Sequence, residues 1–399
     1  MRERLSRRLC GFAQSATLLM SQKSSELAAR GVDVISLAVG EPDFDTPEHI
    51  RKAAHDAIEA GWTRYSPVAG YPSLREAICD KLRRENGLEY KPSEIVVSNG
   101  AKQSLCNVLL SLVDEGDEVI IPAPYWVSYP QMVLLSGGTP VVVSAGIRSG
   151  FKISPEQLEA AITPRTRMLI LCSPSNPSGA VYSRKELEGL AAVLAAHPDI
   201  MVLSDEIYEH IIYSGKACSI ASIPGMQERT LVINGVSKAY AMTGWRIGYM
   251  AGPKWVADAC SKLQGQYTSG ASSISQKAAE AALRADQGCV ESMRQSFHRR
   301  RDLLLELLRE FPGVELTVPE GAFYLLPDFS AWLGRTCPDG TKLETTSDLA
   351  MYLLEHAHVA TVGGEPFGAP GCLRLSYATS EEQLREAAAR MRAALNELK

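Results

Sequence analysis

No CxxC pair and no HExxH segment occurs in this 399-residue chain. The nine cysteines, at 10, 79, 106, 172, 218, 260, 289, 337 and 372, are scattered and odd in number. Neither a zinc site nor a disulfide framework is indicated, and the cysteines read as small hydrophobes in a reducing compartment. The seven histidines form no ligand pattern, so no metal site is expected. A strong charge of one sign is missing too: 41 Lys and Arg stand against 46 Asp and Glu, a net charge of −5. That balance offers no basic field for nucleic acid. No apolar run reaches the roughly 18–20 residues of a membrane span. No GxGxxG follows an apolar run, which argues against a dinucleotide-binding domain. The start, MRERLSRRLCGFAQSATLLM, is basic and then mildly apolar, but Gln14 and Ser15 interrupt its apolar part and no small-residue cleavage site is clear. A cytoplasmic protein is expected.

What is present is an alternation of short apolar runs with helical patterns. EIVVS (94–98), DEVIIP (117–122), TPVVV (139–143), RMLILC (167–172), IMVLS (200–204), RTLVIN (229–234) and RIGYMAG (246–252) read as strands. Helical segments such as AKQSLCNVLLSLV and SRKELEGLAAVLAAH lie between several of them. Continuous Val, Ile and Leu runs separated by helices predict an α/β fold with a largely parallel sheet covered on both faces. RIGYMAG follows RTLVIN after a loop alone, which predicts one antiparallel strand. FHRRRDLLLELLREF (297–311) predicts a long helix bridging to a smaller α+β part. ELAARGVDVISL is expected to pack on that part. The reading is a large domain over 49–285 and a small domain from 1–48 with 286–399.

Ligands of open α/β sheets bind beyond the carboxyl ends of the strands. Here those ends carry NGAK, APYW, SPSNPSG, DEIY and GVSK. Each has an ordinary structural use: a strand-end Asp caps a turn, an indole fills a core, and a lysine is a surface charge. The set together fits a pyridine-ring phosphate cofactor. A lysine amine, Lys238, forms a Schiff base with an aldehyde. A carboxylate, Asp205, keeps a ring nitrogen protonated so that the ring draws electrons from a carbanion. A helix N-terminus, a serine and Arg246, eight residues beyond Lys238, hold a dianionic phosphate. Trp126 stacks on a ring face. Tyr208 and Asn176 are able to hydrogen-bond a phenolate oxygen.

At these residues the sequence resembles the fold-type I pyridoxal-phosphate enzymes, and among them the class I aminotransferases of the bacterial aspartate aminotransferase type. The motifs are AVGEPDFDTP (38–47), YSPVAGYPSLREAI (65–78), SNGAKQ (98–103), PYWVSYP (124–130), SPSNPSGAVY (173–182), SDEIYEH (204–210), GVSKAYAMTGWRIGY (235–249), GAFY (321–324) and LRLSYATS (373–380). They span essentially the whole chain. The resemblance implies a large domain with a mostly parallel seven-stranded sheet and a smaller α+β domain. It implies pyridoxal 5′-phosphate as cofactor, with Lys238, Asp205 and Tyr208 as catalytic residues. Gly100, Ala101, Lys102, Ser237 and Arg246 would surround the phosphate, and Trp126 and Asn176 the ring. Tyr65 would reach the phosphate of a neighbouring subunit, which makes a homodimer the active unit; the alternative for Tyr65 is a surface tyrosine. Arg374 would fork onto the substrate α-carboxylate with Asn176, since planar bidentate geometry suits arginine. Gly40 would meet the same carboxylate through its backbone, or serve a turn.

One departure bears on the substrate. Animal-type aspartate aminotransferases take the distal carboxylate with an arginine from the other subunit, and the matching stretch here, QGQYTSGASS (264–273), has none. In the bacterial type a lysine in the phosphate loop does this, here Lys102, with Ser15 and Thr17 nearby. Lys102 also has a second use, supporting the phosphate. The resemblance therefore implies reversible, ping-pong transfer of an amino group between L-aspartate or L-glutamate and 2-oxoglutarate or oxaloacetate. Prephenate carries a second carboxylate as well, so prephenate transamination stays open, as do a broad aromatic aminotransferase and a C–S lyase on the same fold.

Overall fold

A computed structural model describes residues 14–399; Cys10 and the basic start of the chain lie outside the described residues. Twelve strands are described. The first, β1 (Ile35–Ser36), is followed by β2 (Ile95–Asn99), β3 (Glu118–Ala123), β4 (Thr139–Ser144), β5 (Thr166–Cys172), β6 (Met201–Asp205), β7 (Thr230–Gly235) and β8 (Ile247–Ala251). The C-terminal part carries β9 (Tyr324–Leu325), β10 (Val359–Ala360), β11 (Val362–Gly363) and β12 (Leu373–Ser376).

Strands β2 to β8 form one seven-stranded sheet in the order β2-β8-β7-β6-β5-β3-β4. Its pairings are parallel except for β8, which runs antiparallel to both β2 and β7. The short loop between RTLVIN and RIGYMAG allows no crossover, so the chain returns antiparallel. Every residue of β6, β7 and β8 is buried, whereas the edge strand β4 is half exposed along its length. Helices therefore cover both faces of the sheet centre, which is why the central runs show no polar alternation.

The helices follow local signals. Ala101–Leu112 starts after Gly100, whose φ of +86° glycine adopts at little cost. It buries Leu105, Val108, Leu109 and Leu112, one face at helical spacing. Arg184–Ala195 opens with a reciprocal Ser183–Glu186 capping box, worth about 1 kcal/mol. The bridging helix is longer than expected, Gly288–Leu308. Val290, Met293, Phe297, Arg301, Leu304 and Leu308 continue one buried face back through the polar GCVESMRQS stretch.

The N-terminal segment is tied to the C-terminal part. β1 pairs in parallel with β10, and the Ser376 N–H donates to the Leu37 carbonyl at 2.7 Å. Leu37 and Ala38 share an apolar cluster with Phe323, Leu353, Val359 and Leu375. This pairing threads the chain past β12, so that the Ala38 carbonyl meets Arg374 and Gly40 lines the same cavity.

Candidate active site

The carboxyl ends of the central strands open into a cavity of about 350 Å³. Gly100 and the start of helix Ala101–Leu112 follow β2; Trp126 follows β3; Asn176 follows β5; Asp205 ends β6; Ser237 and Lys238 follow β7. Arg246 precedes β8, and Arg374 reaches in from β12. Ser15, Thr17, Gly40, Ala101, Lys102, Tyr208 and Arg246 line the same space. Gly100 is set just behind it: a Cβ on this glycine would run into the Arg246 guanidinium. Tyr65 is the one expected site residue away from the cavity. It is 97% exposed, on an open face beside Trp62, Ser66 and Gly270.

Four cations, Lys102, Lys238, Arg246 and Arg374, line the cavity with one carboxylate, Asp205. None of the four has an acidic side chain within ion-pair distance among the described residues. Arg374 is 1% exposed, and its Nη1 donates to Asn176 Oδ1 at 3.1 Å and its Nη2 to the Ala38 carbonyl at 2.5 Å. Its Nε is buried and makes no hydrogen bond. A buried guanidinium with spare donors and no counter-ion is costly unless an anion completes it. Arg246 is held by the Thr243 and Asn99 carbonyls, at 2.9 and 3.3 Å.

The Lys238 ammonium donates to the Gly40 carbonyl at 2.5 Å and lies 5.9 Å from the Tyr208 ring centre. Burial pulls its pKa down to about 8; Arg246 and Arg374 push the same way, against Glu41 and Asp205. A substantial share of this amine is neutral near pH 8, where an exposed lysine is almost wholly charged. In ligand-free protein, the rate at which Lys238 captures a small aldehyde should therefore rise with pH and level off above about 8. Stopped-flow rates over a pH series test this; no levelling below the ordinary lysine range would contradict it.

Burial raises the Asp205 pKa, and hydrogen bonds from Tyr129 and the Ile207 N–H, with the Lys238 charge, oppose it. The Tyr208 and Tyr324 hydroxyls meet at 2.9 Å. The Arg374 guanidinium lies 4.7 Å from the Tyr324 ring centre. Gly40 leaves room for this tyrosine: a Cβ there would come within 2.6 Å of the Tyr324 hydroxyl. The Lys102 ammonium sits 4.6 Å from the Trp126 ring centre, and burial lowers its pKa. Ser15 and Thr17 hydrogen-bond each other at 2.8 Å where helix Ala16–Ala29 begins.

Tyr129, Cys172, Thr243 and Tyr324 also line the cavity and were not singled out from sequence. Tyr129 and Tyr324 lie within the quoted motifs PYWVSYP and GAFY, and that membership was their only signal. A buried tyrosine in an apolar run looks like core until its hydroxyl partner is seen.

The cleft gathers a lysine amine, two arginines and a second lysine around one carboxylate, a set suited to anionic ligands. The family described as aminotransferase class I and II matches residues 32–391, and the chain belongs to it. Membership implies dependence on pyridoxal phosphate and amino acid and 2-oxo acid substrates. The chain is 52% identical to an aspartate/prephenate aminotransferase of Cereibacter sphaeroides, over 98% of each sequence. It is 50% identical to a bifunctional aspartate aminotransferase and glutamate/aspartate-prephenate aminotransferase of Petunia hybrida, over 99% of this chain and 83% of that one. Among solved structures, the aspartate aminotransferase of Rhizobium meliloti superposes with a TM-score of 0.96 at 47% identity, covering 99% of this chain and all of that one. That of Thermus thermophilus with maleate gives 0.91 at 46% identity, covering 98% and 99%.

Proposed function

We propose that this chain is an aspartate aminotransferase. It would use pyridoxal 5′-phosphate to move an amino group reversibly between L-aspartate or L-glutamate and 2-oxoglutarate or oxaloacetate, releasing one 2-oxo acid before the next enters. The observation that carries the reading is the cleft's excess of four unpaired cations over one carboxylate. A cofactor phosphate and a dicarboxylic substrate would together balance it. Maleate, in the name of the Thermus thermophilus structure, is also a dicarboxylate.

The residues fit the cofactor. Gly100 and Arg246 make a cradle that any Cβ at position 100 would fill. With Ala101 at a helix N-terminus, and Lys102 and Ser237 lining the same cavity, they would hold the phosphate. Trp126 would cover the ring, Asn176 and Tyr208 would hydrogen-bond its oxygen, and Asp205 would hold a proton at its nitrogen. When bound, the cofactor supplies an electron sink for the charge that develops at the substrate Cα.

The side chains do the rest. Arg374, with Asn176 and the Gly40 backbone, would fix the α-carboxylate and so orient the Cα–H bond. The Lys238 amine, with a substantial share neutral near pH 8, would take the proton from Cα. Lys102, with Ser15 and Thr17, would hold the distal carboxylate. The exposure of Tyr65 supports its donation to the cleft of a second copy, and a homodimer is the expected active unit. The division into a large domain over 49–285 and a small one from 1–48 with 286–399 is supported by the pairing of β1 with β10. A cytoplasmic location is proposed from composition; no helix among the described residues is long and apolar enough to cross a membrane.

The test is a half-reaction. The visible absorption of the cofactor-loaded protein should change on adding L-aspartate with no acceptor, and 2-oxoglutarate should restore it. Lys102→Gln should slow the aspartate step about a hundredfold, the worth of a charged hydrogen bond and its ion pair, and leave an apolar amino acid nearly unaffected. An equal loss for both would assign Lys102 to the phosphate. A second reading, prephenate transamination, is favoured by the names of both relatives. Restoration of the absorption by prephenate would establish it.

A further inference from the structure

Asp205 is buried at the cavity wall, 4% exposed, and no lysine or arginine pairs with it among the described residues; Lys238 donates to the Gly40 carbonyl instead. Two hydrogen bonds hold the carboxylate. The Ile207 N–H reaches Oδ1 at 3.3 Å. The Tyr129 hydroxyl donates to Oδ2 at 2.6 Å, the shorter of the two. Tyr129 lies in helix Ser128–Ser136 and is itself buried. Its ring stands edge-on to Trp126, with centres 5.5 Å apart and planes at 86°. The Tyr129 N–H donates to the Trp126 carbonyl at 2.9 Å.

We propose that Tyr129 is a positioning residue for the cofactor's pyridine ring. Its hydroxyl keeps Asp205 ionised and aimed at the ring nitrogen, and its ring edge fixes the indole that covers the ring. The proposal rests on the function put forward above and extends it to a residue with no role in that scheme.

The alternative is a core tyrosine with a satisfied hydroxyl, and the partner separates the two. Phenylalanine would fill the same volume, so packing has no use for the oxygen. That oxygen bonds a cleft carboxylate rather than a backbone carbonyl. Burial drives Asp205 towards its neutral form; Tyr129, the Ile207 N–H and Lys238 oppose this, and the Cys172 thiol also faces it. Burial also holds the Tyr129 phenol well above its ordinary range, so it stays a donor. Loss of the hydroxyl leaves the carboxylate with the longer bond alone. A protonated Asp205 attracts a protonated pyridine nitrogen far less than a charged one does.

The experiment is nitrogen NMR of the protein loaded with cofactor labelled with ¹⁵N in the ring, comparing the native chain with Tyr129→Phe. In the variant the ring nitrogen should shift towards its unprotonated value, and cofactor release should quicken about tenfold, the worth of one hydrogen bond to a charged group. In an Asp205→Asn background the same change should add little, because the two residues act as one unit. If Tyr129→Phe does not fold, ring-fluorinated tyrosine at 129 preserves the packing and strengthens the donor; the nitrogen signal should then move the opposite way. A folded Tyr129→Phe protein with unchanged nitrogen shift and release rate overturns the proposal. An unprotonated ring nitrogen in the native protein would instead overturn the role given to Asp205 itself.

Discussion

Lys238→Ala should lower transamination by at least about ten-thousandfold while leaving a folded protein that still binds pyridoxal phosphate. Two losses combine. The amine that captures the cofactor's aldehyde is gone. The base that takes the Cα proton is gone with it, and a positioned base alone contributes about 10²–10⁴-fold. The fold should not suffer, because the part-buried Lys238 amine has no acidic partner within ion-pair distance among the described residues and its hydrogen bond is to the Gly40 carbonyl. Alanine removes a partly buried cation whose charge the surroundings disfavour, so the melting temperature of ligand-free protein should stay level or rise. Steady-state rates with aspartate and 2-oxoglutarate, together with thermal unfolding, decide the matter. Retained turnover would end the assignment of Lys238 as the working amine.

Arg374→Leu should reduce kcat/KM for aspartate about a thousandfold, with a smaller loss of cofactor affinity. The proposed fork supplies two charge-assisted hydrogen bonds to the α-carboxylate, each worth roughly 1.5–3 kcal/mol. Arg374→Lys should recover only part of this, since an ammonium offers no planar pair of donors. Stability should again hold. Arg374 is buried with an unpaired Nε and, among the described residues, no carboxylate partner, so leucine removes an uncompensated buried charge. Kinetics beside melting curves separate the two effects. A large fall in melting temperature with little change in kcat/KM would make Arg374 a structural residue.

Tyr65 shows how far sequence reasoning reached. Its motif suggested a residue that serves another subunit, and the single chain leaves it exposed and outside the cleft. Asp205 and Lys238 were legible because a charged residue at the end of an apolar strand is chemically out of place. Tyr129 and Tyr324 were not, because a tyrosine among apolar residues carries no such conflict; their significance lies in the partners of their hydroxyls. The parallel sheet and its antiparallel β8 were legible from unbroken Val and Ile runs and one short loop. The start of the bridging helix at Gly288 was not, since a buried stripe inside a polar stretch is weak over so few turns.

The sequence by itself determined the fold class, the strand ends that carry chemistry, and the types of group gathered there, because these depend on periodicity and on residue identity. Only the tertiary structure decided how those groups behave. The lowered pKa of Lys238 comes from burial between Arg246 and Arg374, which are 8 and 136 residues away along the chain. Arg374 finds the Ala38 carbonyl because β1 pairs with β10 and draws the chain after it alongside β12. Desolvation and the field of neighbouring charges are properties of a place, and the folded chain alone makes the place.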